Sequence, residues 1–97
     1  MSEPETIRME ISSDGAFLPS VRQFVSDAAL AAGFCPKSAG LAEAEANSLW
    51  IGLSGTAPGS LLRLDCSFTE NNSLVLTLSD VSSGKVHGMR TVRGACE

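Results

Sequence analysis

Three polar side chains of this sequence stand at positions where they could do chemistry together. Glu43 and Asn47 are four residues apart in an Ala-rich stretch, and residues at that spacing share one face of a helix. Asp80 follows the apolar run 74–78, and Gly84 comes four residues after it. An Asp just past an apolar strand lies where a buried polar pocket can form. We therefore expect a polar site if the fold brings this helix face and this strand end together.

The same residues also fit a structure without a site. Glu-x-x-x-Asn is common by chance, and composition alone favours an exposed, functionless helix face for Glu43 and Asn47. His87 is the only histidine, and we expect it to be a surface side chain because no acidic partner or second His marks it as catalytic. Cys66 is interpreted as a small core residue. The odd cysteine count without paired spacing argues against a disulfide framework or a zinc site.

Composition limits the protein to a few classes. A chain of 97 residues is long enough for one domain with a modest core. The net charge is −4 and only seven Lys and Arg are spread along the chain, which argues against nucleic-acid binding. The acidic start of the sequence does not resemble a signal peptide, and no apolar run approaches the roughly 20 residues of a membrane helix. We expect a cytoplasmic protein that does not bind membranes.

The hydrophobic pattern predicts the elements that would position these residues. Period-two alternation predicts strands at 7–11, 62–68 and 74–78, with a turn at 70–73 and a weaker last strand at 86–92. Steps of three and four predict an amphipathic helix that ends at Gly33, with Ser13 or Asp14 as its cap and Pro19 in its first turn. The order predicts an α+β two-layer sandwich, a mainly antiparallel sheet with helices on one face.

A second helix is expected to start at Pro36, and it is the helix that would carry Glu43 and Asn47. Its apolar face includes Trp50, which is interpreted as a core residue rather than a ligand-stacking one. The members of that face are Ala39, Ala42, Ala46, Leu49, Trp50 and Leu53.

Taken together, three segments resemble the GHKL (Bergerat-fold) ATPases, and most closely their anti-sigma-factor serine kinases. Segment 13–34 is similar to the opening helix of those kinases, 41–47 to their N-box, and 74–80 to the strand before their adenine-binding loop. The resemblance covers roughly residues 6–84. It implies that 1–97 is a single histidine-kinase-like ATPase domain.

The resemblance also implies roles for individual residues. Asn47 would hold a Mg²⁺ that bridges nucleotide phosphates, and Glu43 would be the general base or positioning group. Asp80 would accept a hydrogen bond from the adenine amino group, and Gly84 would be the retained glycine of the adenine-binding loop. The implied cofactor is ATP or ADP with Mg²⁺.

The sequence departs from the family pattern after Asp80. Ser82 stands where the family has its first glycine, and a side chain there obstructs close approach of the backbone to the base. After Gly84, the remaining residues leave no room for an ATP lid, a second glycine pair or a final helix. We therefore expect the phosphate contacts to be missing and the cofactor to bind weakly or not at all.

Several functions remain open at this point. We expect first a regulatory anti-sigma-factor-like domain that acts by protein–protein binding in bacterial signalling and transcription regulation. Its partner would be a sigma factor, an anti-sigma antagonist or a kinase. The alternatives are an active ATP-binding serine/threonine protein kinase, the pseudo-ATPase domain of a phosphotransfer system, and an accidental resemblance. An open sheet edge would also allow a homodimer.

Overall fold

The computed structural model describes residues 6–13, 17–52 and 60–94. Its elements are β1 (Thr6–Ser12), α1 (Leu18–Ala31), α2 (Pro36–Ile51), β2 (Leu61–Phe68), β3 (Ser73–Asp80) and β4 (Val86–Arg93). The strands form one antiparallel sheet in the order β1-β2-β3-β4, and the helices pack against it around one apolar core. The expected α+β two-layer sandwich is confirmed.

The core lies between the helices and one face of the sheet. Alternate residues of the central strands β2 and β3 point into it, because side chains alternate between the two faces of a strand. The antiparallel register places Leu64 opposite Leu78 and Cys66 opposite Leu76. These side chains are fully or almost fully buried, and each buried Leu contributes about 1.5–3 kcal/mol of hydrophobic free energy. The period-two pattern thus fixed which residues form the sheet side of the core.

The termini of α1 agree with the sequence only in part. Pro19 lies in the first turn as expected, and Gly33 ends the helix with a φ of +94°, a conformation that costs glycine little. Capping by Ser13 is wrong, since the N-cap is Phe17 and no side chain caps it. Asp14, the other cap candidate, lies outside the described residues.

Helix α2 begins at Pro36 as expected, and its N-cap Cys35 accepts a hydrogen bond from the Ser38 backbone N–H through Sγ. It ends at Ile51, with Gly52 as its C-cap, and Leu53 lies outside the described residues. Trp50 and the small residues Ala42 and Ala46 are buried, which confirms the apolar face. Small side chains allow α2 to approach its neighbours closely.

The two flanks of α2 face different neighbours. Glu43 on one flank contacts Arg22 of α1, and Glu45 on the other flank contacts Arg90 of β4. Residues two apart in a helix are related by a rotation of about 200° around the helix axis, so they lie on nearly opposite sides. Helix α1 therefore lies on the side of α2 away from β4, toward the β1 end of the sheet.

The face of the sheet opposite the helices, called the open face below, is polar. It carries two cross-strand ion pairs between β1 and β2, Arg8–Asp65 at 2.8 Å and Glu10–Arg63 at 2.9 Å. The turns that join the strands use positive φ at Asn72 (57°) and Gly84 (74°). Asn tolerates this conformation better than most residues, in agreement with the turn predicted there.

Candidate functional site

Glu43 and Asn47 lie on one side of α2, as their spacing predicts. Together with Arg22, Gly40 and Ala44 they line an open depression of about 390 Å³ beside α1. The prediction that Glu43 and Asn47 share a face is therefore confirmed. The depression is wide and shallow, unlike the enclosed pockets that bury most of a small ligand.

Arg22 was not predicted to belong to this site, and it forms an ion pair with the carboxylate of Glu43. The Arg22 Nε and Nη2 atoms lie 3.0 and 2.9 Å from Glu43 Oε1. A general base must approach the proton that it removes to within hydrogen-bond distance, and here the carboxylate is held by a guanidinium group. In this structure Glu43 connects α1 to α2.

Asp80, the last residue of β3, directs its carboxylate into the turn that follows. Its Oδ1 atom accepts hydrogen bonds from Ser82 Oγ at 2.7 Å, the Ser82 backbone N–H at 2.9 Å and the Ser83 backbone N–H at 3.1 Å. These donors, the Ser82 hydroxyl first, lower the pKa of Asp80 because hydrogen bonds to the ionised form favour it. Ser82, which stands where the resemblance expects a glycine, thus engages the carboxylate to which the resemblance assigns the adenine contact.

Gly84 has a structural role in the same turn. Its backbone N–H donates to the Asp80 carbonyl at 2.8 Å, and its φ of +74° is one that a side chain would strain. Neither Asp80 nor Gly84 is among the described residues that line the depression. Of the predicted site residues, the structure brings Glu43 and Asn47 together and places Asp80 and Gly84 in a separate turn.

The donors of the depression do not fit a Mg²⁺–nucleotide site. Mg²⁺ prefers an octahedral shell of oxygen ligands, usually with carboxylates and phosphates. Asn47 offers one amide oxygen, and the nearby carboxylate of Glu43 already carries Arg22 as its counter-ion. In the described parts of the chain, no three His, Cys, Asp or Glu side chains are grouped to hold a metal ion.

Two buried polar atoms were missed by the sequence interpretation. Trp50 Nε1 and His87 Nε2 are buried without a hydrogen-bond partner among the described residues. We expected His87 to be a surface side chain, and this is wrong for its Nε2 atom, which is buried.

The position of His87 follows from the register of β4. A register shift between Leu78 and Ser79 pairs these residues with Gly88 and Val86. It leaves His87 as an extra residue of β4, which the weak strand pattern of 86–92 could not reveal.

The cysteines follow one expectation and contradict another. Cys66 is free and fully buried, which confirms it as a core residue, and burial raises the pKa of its thiol to about 12. Cys35 is disulfide-bonded, so the argument against disulfides is wrong for this residue. The three cysteines of the chain cannot all be paired with each other, but one disulfide needs only two of them.

Comparisons with known proteins add no relative. The sequence matches no family model, no curated protein and no solved structure. The resemblance to anti-sigma-factor serine kinases therefore stays a prediction. Neither of the helices in the described ranges combines the length and apolar character needed to cross a membrane.

Proposed function

We propose that this protein is a regulatory, anti-sigma-factor-like domain that acts by protein–protein binding, with nucleotide binding weak or lost. The observation that carries this proposal is the Arg22–Glu43 ion pair at 2.9 Å. The carboxylate with the catalytic role in the resemblance serves as a contact between two helices. A domain that uses this residue structurally is suited to binding rather than to phosphate transfer.

The turn after β3 supports the same proposal. The resemblance implies that the Asp80 carboxylate binds adenine. In the structure, Asp80 Oδ1 accepts three hydrogen bonds from Ser82 and Ser83. A bound adenine would have to share this carboxylate with the turn. We therefore expect a weaker contact at the base, in addition to the missing contacts at the phosphates.

The partner proposed here is a bacterial signalling protein in the cytoplasm: a sigma factor, an anti-sigma antagonist or a kinase. The net charge of −4 makes nucleic acid a poor partner, because backbone phosphates repel an acidic surface. Direct binding to purified proteins of these three kinds, measured by isothermal titration calorimetry, tests the proposal. Failure to bind any of them would contradict it.

One observation favours an ATP-dependent serine/threonine protein kinase as the second candidate. Glu43 and Asn47 line the same depression, as the active family arrangement requires. The two candidates differ in whether nucleotide binds at all.

Thermal melting with Mg²⁺-ADP and Mg²⁺-ATP separates the two candidates. A ligand at one hundred times its dissociation constant stabilises a protein by about 2.7 kcal/mol, so an intact site would raise the melting temperature clearly. We expect no rise at millimolar nucleotide. A rise that Asn47→Ala removes, and that the matched control Asn71→Ala in the exposed β2–β3 turn preserves, would favour the kinase.

A further inference from the structure

The disulfide of Cys35 has few available partners. The sequence contains three cysteines, Cys35, Cys66 and Cys96. Cys35 is disulfide-bonded, whereas Cys66 is free and fully buried in the core. Elimination therefore leaves Cys96, which itself lies outside the described residues, or a cysteine of another molecule.

Gly94 lies beside the residue that precedes Cys35. It is buried, and its backbone N–H donates to the Asn72 carbonyl at 2.7 Å. A Cβ at this position would lie 2.5 Å from Phe34 Cε1, so the close approach of the two segments depends on the missing side chain. Phe34 is in turn held by an edge-on contact with Phe68, with 5.6 Å between the ring centroids. The backbone at Gly94 is therefore fixed next to the start of α2.

The short sequence separation between Gly94 and Cys96 brings the second cysteine within reach. Two residues of extended chain span at most about 7 Å, and a disulfide joins Cα atoms that are about 4.4–6.8 Å apart. We propose that Cys35 and Cys96 form a redox-sensitive clamp, a reversible disulfide between the start of α2 and the segment that follows β4.

The sulfur of Cys35 is placed where reduction is favoured. Cys35 is the N-cap of α2, and its Sγ accepts the Ser38 backbone N–H at 3.4 Å. When the disulfide is broken, a thiolate at this position keeps that donor and meets the positive end of the helix dipole. Stabilisation of the reduced form makes a disulfide easier to reduce. Cys35 is also only partly buried, which gives a thiol from solution access to the bond.

The exchange needs a low-molecular-weight thiol and its disulfide. The small thiolate attacks one sulfur of the clamp and forms a mixed disulfide with it, while the other cysteine leaves as a thiolate and takes up a proton. A second small thiol then attacks the mixed disulfide, which yields two protein thiols and one small-molecule disulfide. Two electrons thus pass from the small thiols to the clamp, and oxidation reverses both steps.

The regulatory role of the clamp rests on the cytoplasmic setting of the proposed function. Disulfides in the cytoplasm are usually transient and serve catalysis or redox sensing. The oxidised clamp closes a loop that contains α2 and the strands β2, β3 and β4, and this closure lowers the entropy of the unfolded chain. The oxidised domain is therefore more stable than the reduced one, and the redox state of the cell would set the balance between them.

Peptide mapping of the full chain without reductant tests the pairing independently of the function. Trypsin is expected to give peptide 23–37 linked to peptide 94–97, and dithiothreitol should separate the two. A link to peptide 64–85, which contains Cys66, a disulfide-linked dimer, or unlinked peptides from protein kept oxidised would overturn the pairing.

Equilibration with mixtures of reduced and oxidised glutathione tests the switch. We expect the linked peptide to fall from nearly complete to nearly absent as the reduced form is increased. A clamp that stays oxidised in excess reduced glutathione would be a permanent structural disulfide, which would overturn the redox role. Failure to bind a signalling protein would contradict the proposed function and would leave both of these results unchanged.

A double-mutant cycle separates the bond from the side chains that form it. Cys35→Ser keeps a side chain that can accept the Ser38 N–H, because Ser is a preferred N-cap. Under oxidising conditions we expect Cys35→Ser and Cys96→Ser each to lower the melting temperature by at least about 10 °C, and the double variant to lower it no further. In dithiothreitol the wild type should melt with the variants. Additive losses, or single variants as stable as the oxidised wild type, would contradict the clamp.

Discussion

Arg22 of α1 and Glu43 of α2 are 21 residues apart in the sequence, and their charged groups meet at 2.9 Å. This contact determines how the depression beside α2 can be used. It engages the carboxylate to which the resemblance assigns the role of general base or positioning group. It also joins the two helices on the side away from β4.

We expect Arg22→Ala to lower the free energy of unfolding by less than about 1 kcal/mol. The two side chains are 47% and 32% exposed, and solvent screens ion pairs of this kind. Urea unfolding at low and high salt measures the effect, with Arg22→Lys as the variant that keeps the charge. A loss of several kcal/mol would mean that Arg22 contributes much more than this ion pair.

Asp80 should make the stability of the protein depend on pH in the acid range. The pKa of Asp80 in the folded protein is lowered, first by the Ser82 hydroxyl. The stability that the ionised carboxylate contributes is therefore present above the unfolded pKa of about 3.9, and it is lost as the pH falls through the folded pKa. We expect Ser82→Ala to raise the pKa of Asp80. Carbon-detected NMR titration of the Asp80 carboxyl measures this, and an unchanged titration would show that the Ser82 hydroxyl does not hold the carboxylate.

Cys66 should resist thiol reagents while the protein is folded. It is fully buried, and its pKa is raised to about 12, so very little thiolate is present at neutral pH. Because the folded pKa is raised, the stability that the neutral thiol contributes is present below the unfolded pKa of about 8.5 and is lost as the pH rises toward 12. Mass spectrometry after iodoacetamide treatment should find Cys66 labelled only in denaturant.

Substitutions of Cys66 should distinguish a polar from an apolar change in the core. We expect Cys66→Ser to cost about 1–3 kcal/mol more than Cys66→Ala, if the buried hydroxyl finds no partner. Chemical denaturation of both variants gives the difference. Equal stability of the two variants would indicate that a hydrogen-bond acceptor is available to the hydroxyl.

Two Gly→Ala substitutions should change stability in opposite directions. A Cβ on Gly94 would lie 2.5 Å from Phe34 Cε1 and 2.8 Å from Asn72 Oδ1, and we expect a cost of about 1–3 kcal/mol from overpacking. Gly40 is exposed in α2, and a Cβ there meets nothing within 4 Å. Gly40→Ala should stabilise the helix by about 0.5–1 kcal/mol. Thermal melting of both variants checks the signs, and destabilisation by Gly40→Ala would contradict the open space seen there.

Much of the fold could be predicted from local patterns in the sequence. Alternation at 62–66 and at 74–78 determined which side of each strand is buried, because the side-chain period of a strand is two. Pro36, Gly33 and Asn72 marked a helix start, a helix end and a turn through the backbone angles that they favour. The bond from Ser82 to Asp80 is also local, since Asp commonly accepts from groups two residues on, and it could have been anticipated.

The site depended on contacts that no local pattern specifies. The sequence placed Glu43 and Asn47 on one helix face, because a helical repeat relates residues four apart. Whether that face would meet a strand end, a metal or a cation was decided by the packing of α1 against α2, which brought Arg22 to Glu43. Likewise the register of β4 on β3 makes His87 an extra residue of β4, and its Nε2 atom is buried. Local periodicity determined which surfaces were polar, and only the tertiary structure determined which polar groups face each other.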